Sequence, residues 1–495
     1  MEAQSQEMGK DPGKRRAEKE GGKGKKEKNR RTDKRINRYF HFLLQECNRS
    51  SEGRRQKGVQ EAMLGIFSQK DTVRFPEGFL WGSSTAGHQI EGGNVNSQLY
   101  AREQELRERN PAHEISGRAC DFWNRWEEDF DLLERLGHRA FRMSAEWSRL
   151  EPEEGVHDKE ALQRYLKMLE SLKQRGIQVF LTLHHFTHPL WFEKKGGFQK
   201  RENVDLFLRH LEYLVPRVAP YVDSWNILNE FNNADALSGP YGGEVKANFL
   251  AAHARGAAVV RGYSKAPVSS AHALCAWQPE NPRDEFDVTR TRLRDWQCNA
   301  FFFHAVRTGE ILLPYRDAEY MPELKGSCDY WAINYYTRHM ITARRADGSG
   351  KRHDCCTLRP IDMPFYLEEF YPEGLVDLLD TLHDLPVYIT ENGYCADDDR
   401  LRILYLARHF QAMNEAIRKG CDLRGYLCWS FMDNYEWSSF LPRFGLVAVD
   451  FDTLERTPRP SAEFYRDVIR RNGFDRELFL KYLPEFKDWK IYPRE

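Results

Sequence analysis

From Phe75 onward, near-continuous apolar runs alternate with amphipathic stretches of helical period. The apolar runs predict strands over Phe79–Ala86, Ala140–Trp147, Ile177–Phe186, Asp223–Glu230, Ala266–Leu274, Asp329–Tyr336, Pro386–Gly393 and Leu423–Phe431. Between them, the amphipathic segments Phe122–Leu136, Lys159–Arg175, Asn203–Val215, Ala247–Gly262, Arg400–Lys419 and Ser461–Arg471 predict helices. Strands that are apolar on both faces and separated by helices signal a parallel sheet covered on both sides. Eight such units favour a (β/α)8 barrel over an open doubly wound sheet. The dinucleotide-binding alternative needs a glycine fingerprint after an early strand, and Gly82–Gly87 lacks that spacing. No fixed short repeat is present. The expected fold is therefore an α/β protein, a TIM barrel with long βα loops.

Patterning starts near Met63, which divides the chain into a single barrel domain over 63–495 and an extension over 1–62. Residues 1–40 carry 14 lysines and arginines against 7 acidic residues, so the rest of a chain of net charge −1 carries −8. This basic N-terminal stretch has almost nothing to bury and is expected to be disordered. A tether to nucleic acid or to an anionic surface is one reading of it. A solvated tail, or residues added by an upstream start codon, is the other. The acidic remainder offers no footprint for nucleic acid.

Composition narrows the class further. No apolar run approaches the roughly 20 residues of a membrane helix, and the first forty residues contain no apolar core of a secretory signal. Ten cysteines are scattered without disulfide-scaffold spacing, so reduced thiols and a cytoplasmic location are expected.

In a (β/α)8 barrel the reactive groups come from the C-terminal ends of the strands. The fourth predicted strand ends in Asn229-Glu230 and the seventh in Glu391-Asn392-Gly393. A charge at the end of an apolar strand is costly unless it is paired or used. Two carboxylates facing one barrel mouth are the minimum equipment for cleaving an acetal, one protonating the leaving oxygen and the other attacking the anomeric carbon.

These ends belong to a larger set of motifs. Phe75-Pro76-Glu77-Gly78-Phe79-Leu80-Trp81-Gly82, Gln89-Ile90-Glu91-Gly92, Asn229-Glu230, Thr390-Glu391-Asn392-Gly393 and Trp429-Ser430-Phe431-Met432-Asp433-Asn434-Tyr435-Glu436-Trp437 follow one another in order. From Phe75 to about Arg471 the chain resembles glycoside hydrolase family 1, the β-glucosidase and β-galactosidase family. The resemblance implies a retaining β-glycosidase on a (β/α)8 barrel, with no metal and no organic cofactor. It assigns general acid/base work to Glu230 and the nucleophile to Glu391. An acid must hold its proton near neutral pH while a nucleophile must be ionised, so their surroundings must push the two pKa values apart.

Arg142 matches the family arginine that keeps the nucleophile ionised, although an arginine at that strand end could instead pair with Glu146. Tyr336 matches the tyrosine that contacts the nucleophile, with Tyr335 as its rival. Gln89, His185, Asn229, Glu436 and Trp437 match positions that read the non-reducing sugar, and Trp429 matches the platform beneath it. Glu436, as a two-oxygen acceptor, is compatible with glucosides and galactosides.

The chain departs from the family pattern at Phe231-Asn232-Asn233, where a proline usually follows the acid/base residue, at Phe186-Thr187, and at His88. These changes point to an altered aglycone side. Pro442-Arg443-Phe444 lacks the Lys and Tyr of phosphosugar-specific members, which argues against a 6-phosphate substrate; Arg443 is the residue that could temper this. His184 and His185 point to opposite faces of a strand and do not suggest a zinc site. His353-Asp354-Cys355-Cys356 reads as a surface loop, Cys395 as a loop thiol, and no nucleotide-binding loop is present.

The reading is thus an exo-acting retaining enzyme for terminal β-D-glucosides, with β-galactosides also compatible. Its partner is a small-molecule glycoside or oligosaccharide; no nucleic acid or membrane is expected, and a homo-oligomer is left open. A transglycosylase on the same site and a non-catalytic glycan- or protein-binding barrel are the alternatives.

Overall fold

The computed structural model describes residues 72–234, 242–314, 316–343 and 370–487. The predicted strands become one closed barrel of eight: β1 (Leu80–Ser84), β2 (Ala140–Ser144), β3 (Gln178–Thr182), β4 (Ser224–Asn229), β5 (Val268–Pro279), β6 (Trp331–Ile341), β7 (Val387–Asn392) and β8 (Leu423–Trp429). Every ladder is parallel, and β8 closes on β1 with Gly425 opposite Leu80 and Trp429 opposite Ser84. The strands and the helices that cover them lie within one compact unit, Gln69–Glu485. The expected extension 1–62, the boundary at Met63, Cys47 and the loop holding Cys355 and Cys356 lie outside the described residues.

Ten helices of eight or more residues occur among the described residues: α1 (Gln98–Arg109), α2 (Phe122–Arg135), α3 (Lys159–Gln174), α4 (Val204–Val218), α5 (Gly242–Tyr263), α6 (Glu285–Asp295), α7 (Phe301–Thr308), α8 (Pro372–Leu379), α9 (Asp399–Arg418) and α10 (Pro460–Arg471). α3 illustrates the local logic. Asp158 caps its start by accepting from the backbone N–H groups of Glu160 and Ala161. Ala161, Leu162, Tyr165, Met168, Leu169 and Leu172 then bury one face at helical spacing.

Inside the barrel, Ala140, Phe180, Ala271, Tyr330, Ala332 and Leu427 form a buried apolar layer. Gly393 marks the tightest approach at the C-terminal mouth. A Cβ at that position would sit 1.6 Å from the Trp429 carbonyl oxygen, so only glycine lets β7 turn outward beside β8.

Among the elements that differ from the sequence expectation, β5, β6, α4 and α1 show the physical reasons most clearly. β5 and β6 extend past Leu274 and Tyr336 and stay paired as far as Pro279 and Ile341. Cross-strand contacts hold this extension: Trp277 packs on His339 at 5.2 Å, and Arg338 Nη1 donates to Gln278 Oε1 at 2.7 Å. α4 continues past Pro216 to Val218, because Val215 and Val218 are both fully buried. α1 is polar almost all round and gives no apolar stripe; it is held by the Ser97 cap and by the buried carboxylate of Glu103.

Candidate active site

Arg142, fully buried in the middle of β2, organises one side of the barrel mouth. Its Nη1 pairs with Glu391 Oε1, its Nη2 donates to Asn229 Oδ1 at 2.6 Å, and its Nε donates to Asn226 Oδ1 at 3.1 Å. Tyr336 donates its hydroxyl to the other Glu391 oxygen at 2.7 Å. Glu391 on β7 is only 4% exposed, so both carboxylate oxygens are held from within the protein. The rival pairings do not occur. Glu146 accepts instead from Asn94, Ser144 and Thr187, and the Tyr335 hydroxyl donates to the Tyr371 carbonyl at 2.5 Å.

Glu230 sits one residue past β4 with φ of 46°, a left-handed conformation that costs a non-glycine residue on the order of 1–3 kcal/mol. Its backbone N–H donates to the Ala271 carbonyl at 2.8 Å, which fixes the turn. Asn334 on β6 donates to Glu230 Oε1 at 2.8 Å and Asn233 donates to Oε2 at 2.9 Å. Burial, and then the negative charge of Glu391, push the Glu230 carboxyl up to about 8 against the pull of Asn334, Arg142 and Asn233. Two carboxylates of one site thus have different surroundings: an arginine and a tyrosine grip Glu391, whereas neutral amides contact Glu230.

Gln89, His185, Asn229, Trp429, Glu436 and Trp437 are drawn into one connected cluster. Gln89 Nε2 donates to Asn434 Oδ1, the Tyr435 carbonyl and Glu436 Oε2 at 2.8, 3.0 and 3.3 Å, while its buried Oε1 has no partner among the described residues. Asn229 Oδ1 accepts from Arg142 and Asn334, so its Nδ2 must be the donor to His185 Nε2 at 3.1 Å. His185 is then the Nδ1–H tautomer, and that buried N–H also lacks a partner among the described residues. Burial, with Arg142 nearby, holds the ring well below the usual histidine range and therefore neutral. Trp429 Nε1 donates to Glu436 Oε1 at 3.3 Å. The Trp429 and Trp437 rings each lie near-parallel to His185 at 6.1 Å.

Residues 71–474 match the profile of Glycosyl hydrolase family 1, more than four-fifths of the chain. The chain belongs to this family, and it is a glycosidase. It is 30% identical over 443 residues to a 1,4-beta-D-glucan glucohydrolase of Thermotoga neapolitana, covering 81% of this chain and 99% of that one. It is 29% identical over 492 residues to a beta-galactosidase of Sulfolobus acidocaldarius, covering 84% and 99%. Among solved structures it is similar to a beta-glycosidase from Pyrococcus horikoshii, with a TM-score of 0.72 and 33% identity over 83% of this chain and 98% of that one.

Within this family 1 barrel, several contributors had no signal in the sequence. Asn334 links Glu230 to Asn229, and Asn434 orients Gln89. His88 stacks on Trp437 at 6.3 Å and 6° and is tied to Glu103 of α1 at 2.8 Å, so α1 braces the loop that carries Trp437. His184 faces away from His185, bonded to His188 and packed against Phe198 and Phe207. No cluster of three metal-ligating residues occurs among the described residues. Arg443 is engaged with Asp433 at 3.5 Å and lies 4.8 Å over Phe451, which accounts for its charge without a phosphate. Cys395 is buried beside Trp429 and accepts from the Arg443 N–H at 3.3 Å. The Phe231-Asn232-Asn233 departure reaches further than the aglycone side, because Asn233 touches Glu230 itself.

Proposed function

We propose that this chain is a retaining exo-β-glycosidase that hydrolyses terminal non-reducing β-D-glucosides and also accepts β-galactosides. The observation that carries this reading is the contrast between the two carboxyl groups. Glu230 is held protonated to about pH 8, whereas Glu391 faces a guanidinium and a phenol. Those are the requirements of an acid and a nucleophile on one sugar.

In the first step Glu391 attacks the anomeric carbon as Glu230 gives its proton to the departing oxygen. The ester that forms at Glu391 removes its negative charge, the second-largest influence holding the Glu230 proton. Glu230 therefore becomes more acidic in the intermediate, as a general base requires. It then takes a proton from water, which attacks the anomeric carbon from the face the departing oxygen left, breaks the bond to Glu391 and frees its carboxylate, giving net retention.

The cluster around Gln89 supplies the sugar recognition. The Gln89 Oε1 acceptor and the His185 Nδ1 donor are buried without partners among the described residues, which is unfavourable unless a ligand hydroxyl pairs with them. Trp429 and Trp437 offer apolar surface for the C–H face of the ring. The glucohydrolase and galactosidase names of its relatives fit either orientation of one hydroxyl at Glu436. A panel of nitrophenyl gluco-, galacto-, fuco- and xylosides tests the assignment. The expected result is fastest turnover of the β-glucoside with the β-anomer released first; no turnover of any β-glycoside, or first release of the α-anomer, would overturn it.

A further inference from the structure

The residues Phe231-Asn232-Asn233 form a short 3-10 turn directly after Glu230, and each has a separate job. Phe231 anchors the turn: it is buried, with its ring 5.3 Å from Phe302 and 5.9 Å from both Phe301 and Phe249. Asn232 pins the turn to its surroundings. Its Nδ2 donates to the carbonyls of Ala273 on β5 and Cys298 at 2.7 and 2.8 Å, and its Oδ1 accepts from the Ala273 N–H at 3.3 Å. Asn233 remains exposed at the mouth. Its backbone N–H closes the turn on the Glu230 carbonyl at 2.9 Å, while its side-chain Nδ2 reaches back to Glu230 Oε2 at 2.9 Å.

We propose that Asn233 is a positioning residue that clamps the outward oxygen of the Glu230 carboxyl and tunes when that group gives up its proton. The inference rests on the reading of Glu230 as the acid/base. Asn334 holds Oε1 from the buried side and Asn233 holds Oε2 from the solvent side, so rotation of the carboxyl breaks a bond at either oxygen. An amide N–H can only donate, so it favours the ionised carboxylate over the acid. Asn233 therefore opposes burial and the Glu391 charge, which favour the protonated form. In this arrangement the clamp keeps Glu230 acidic enough to serve as base after serving as acid. A proline at position 231 would supply no side-chain donor, and here the donor comes two residues later on a turn that Phe231 and Asn232 fix in place.

The test uses the full chain carrying Asn233→Ala, Asn233→Asp or Glu230→Gln, with pH profiles of kcat/KM on nitrophenyl glucosides of good and poor leaving groups. Asn233→Ala should move the alkaline limb up by roughly half a pH unit, with the melting midpoint unchanged. Asn233→Asp, which replaces the donor with a like charge, should move it further up. Limbs that stay in place, or move down, in both variants would overturn the clamp. Glu230→Gln separates the two claims. If it loses turnover of poor leaving groups selectively while the Asn233 variants keep the wild-type limb, only the clamp fails. If it shows no leaving-group dependence, the acid/base reading fails and the clamp falls with it.

Discussion

Asn334 is the register partner of Glu391 across β6 and β7, and its side-chain amide donates to Glu230 Oε1 at 2.8 Å. One residue thus sets the height of one carboxyl by backbone pairing and the orientation of the other by a hydrogen bond. The same Nδ2 lies 3.2 Å from Asn229 Oδ1, which also accepts from Arg142, which in turn pairs with Glu391. The path from Glu230 through Asn334, Asn229 and Arg142 to Glu391 is continuous and draws on four strands, β2, β4, β6 and β7. Thr390 Oγ1 donates to Asn334 Oδ1 at 2.7 Å, which prevents the Asn334 amide from flipping.

The two carboxyl groups should respond differently to removal. Glu391→Ala should abolish turnover of every glycoside and recover activity with azide, giving an α-configured glycosyl azide. Glu230→Ala should keep glycosylation by good leaving groups, which need no protonation, and azide should rescue it to a β-configured product. Product configuration by NMR decides the assignment; identical behaviour of the two variants would reverse or remove it.

The raised Glu230 carboxyl fixes the sign of two pH dependences. kcat/KM should fall as pH rises through about 8, because the acid loses its proton there. In the unfolded chain the same group ionises near 4.5, so between 4.5 and about 8 the folded state holds a proton that the unfolded state has released. Stability from this group therefore declines with rising pH across that window. Glu230→Gln should then melt above the wild type by an amount that grows from about pH 4.5 to about pH 8, reaching on the order of a few kcal/mol. Calorimetry at several pH values measures this, and a difference that shrinks with pH would contradict it.

Arg142 should be needed for folding as well as for activity. Removing one partner of a buried ion pair leaves the other charge uncompensated, a cost of about 3–5 kcal/mol. Arg142→Met should show that loss in urea unfolding, and adding Glu391→Gln to it should restore part of the stability. Arg142→Lys keeps the charge but not the three-way fork, so activity should still fall about 100-fold or more. A fully additive double mutant would mean that the pair is not energetically coupled.

The two adjacent tyrosines give a clean contrast. Tyr336→Phe removes the donor to Glu391 Oε2 and should lower kcat by about 10- to 100-fold. Tyr335→Phe removes a bond to the Tyr371 carbonyl, away from both carboxyl groups, and should leave kcat within a few-fold of the wild type while lowering the melting midpoint. Steady-state kinetics of the two variants on one substrate suffice to check this.

The barrel was legible in the sequence because its strands are largely apolar runs separated by helical segments, and the site because two of those runs end in carboxylates, at Asn229-Glu230 and Glu391-Asn392. The buried apolar layer of Ala140, Phe180, Ala271, Tyr330, Ala332 and Leu427 demands those runs. The extensions of β5 and β6 were not legible, since Trp277, Gln278, Arg338 and His339 pair across strands without apolar alternation. α1 was invisible for a related reason: its one buried side chain, Glu103, matters through His88 and Ser116 rather than through an apolar stripe. Tyr335 and Tyr336 could not be told apart because neighbouring strand residues differ only in which face they occupy. Asn334 stands apart from every motif, and Asn233 was visible only as part of an unusual Phe231-Asn232-Asn233 run, so nothing local announces that each side chain meets Glu230.

The central claim is that Glu391 forms a covalent bond to the sugar while Glu230 assists. An activated 2-deoxy-2-fluoro-β-glucoside slows both steps but slows release more when its leaving group is good, so the intermediate accumulates. Proteolysis and mass spectrometry of the inactivated protein should find one glycosyl unit on the peptide containing Glu391, and none when Glu391→Gln is treated alike. An adduct on the Glu230 peptide, or time-dependent inactivation with no glycosylated carboxylate, would contradict the account.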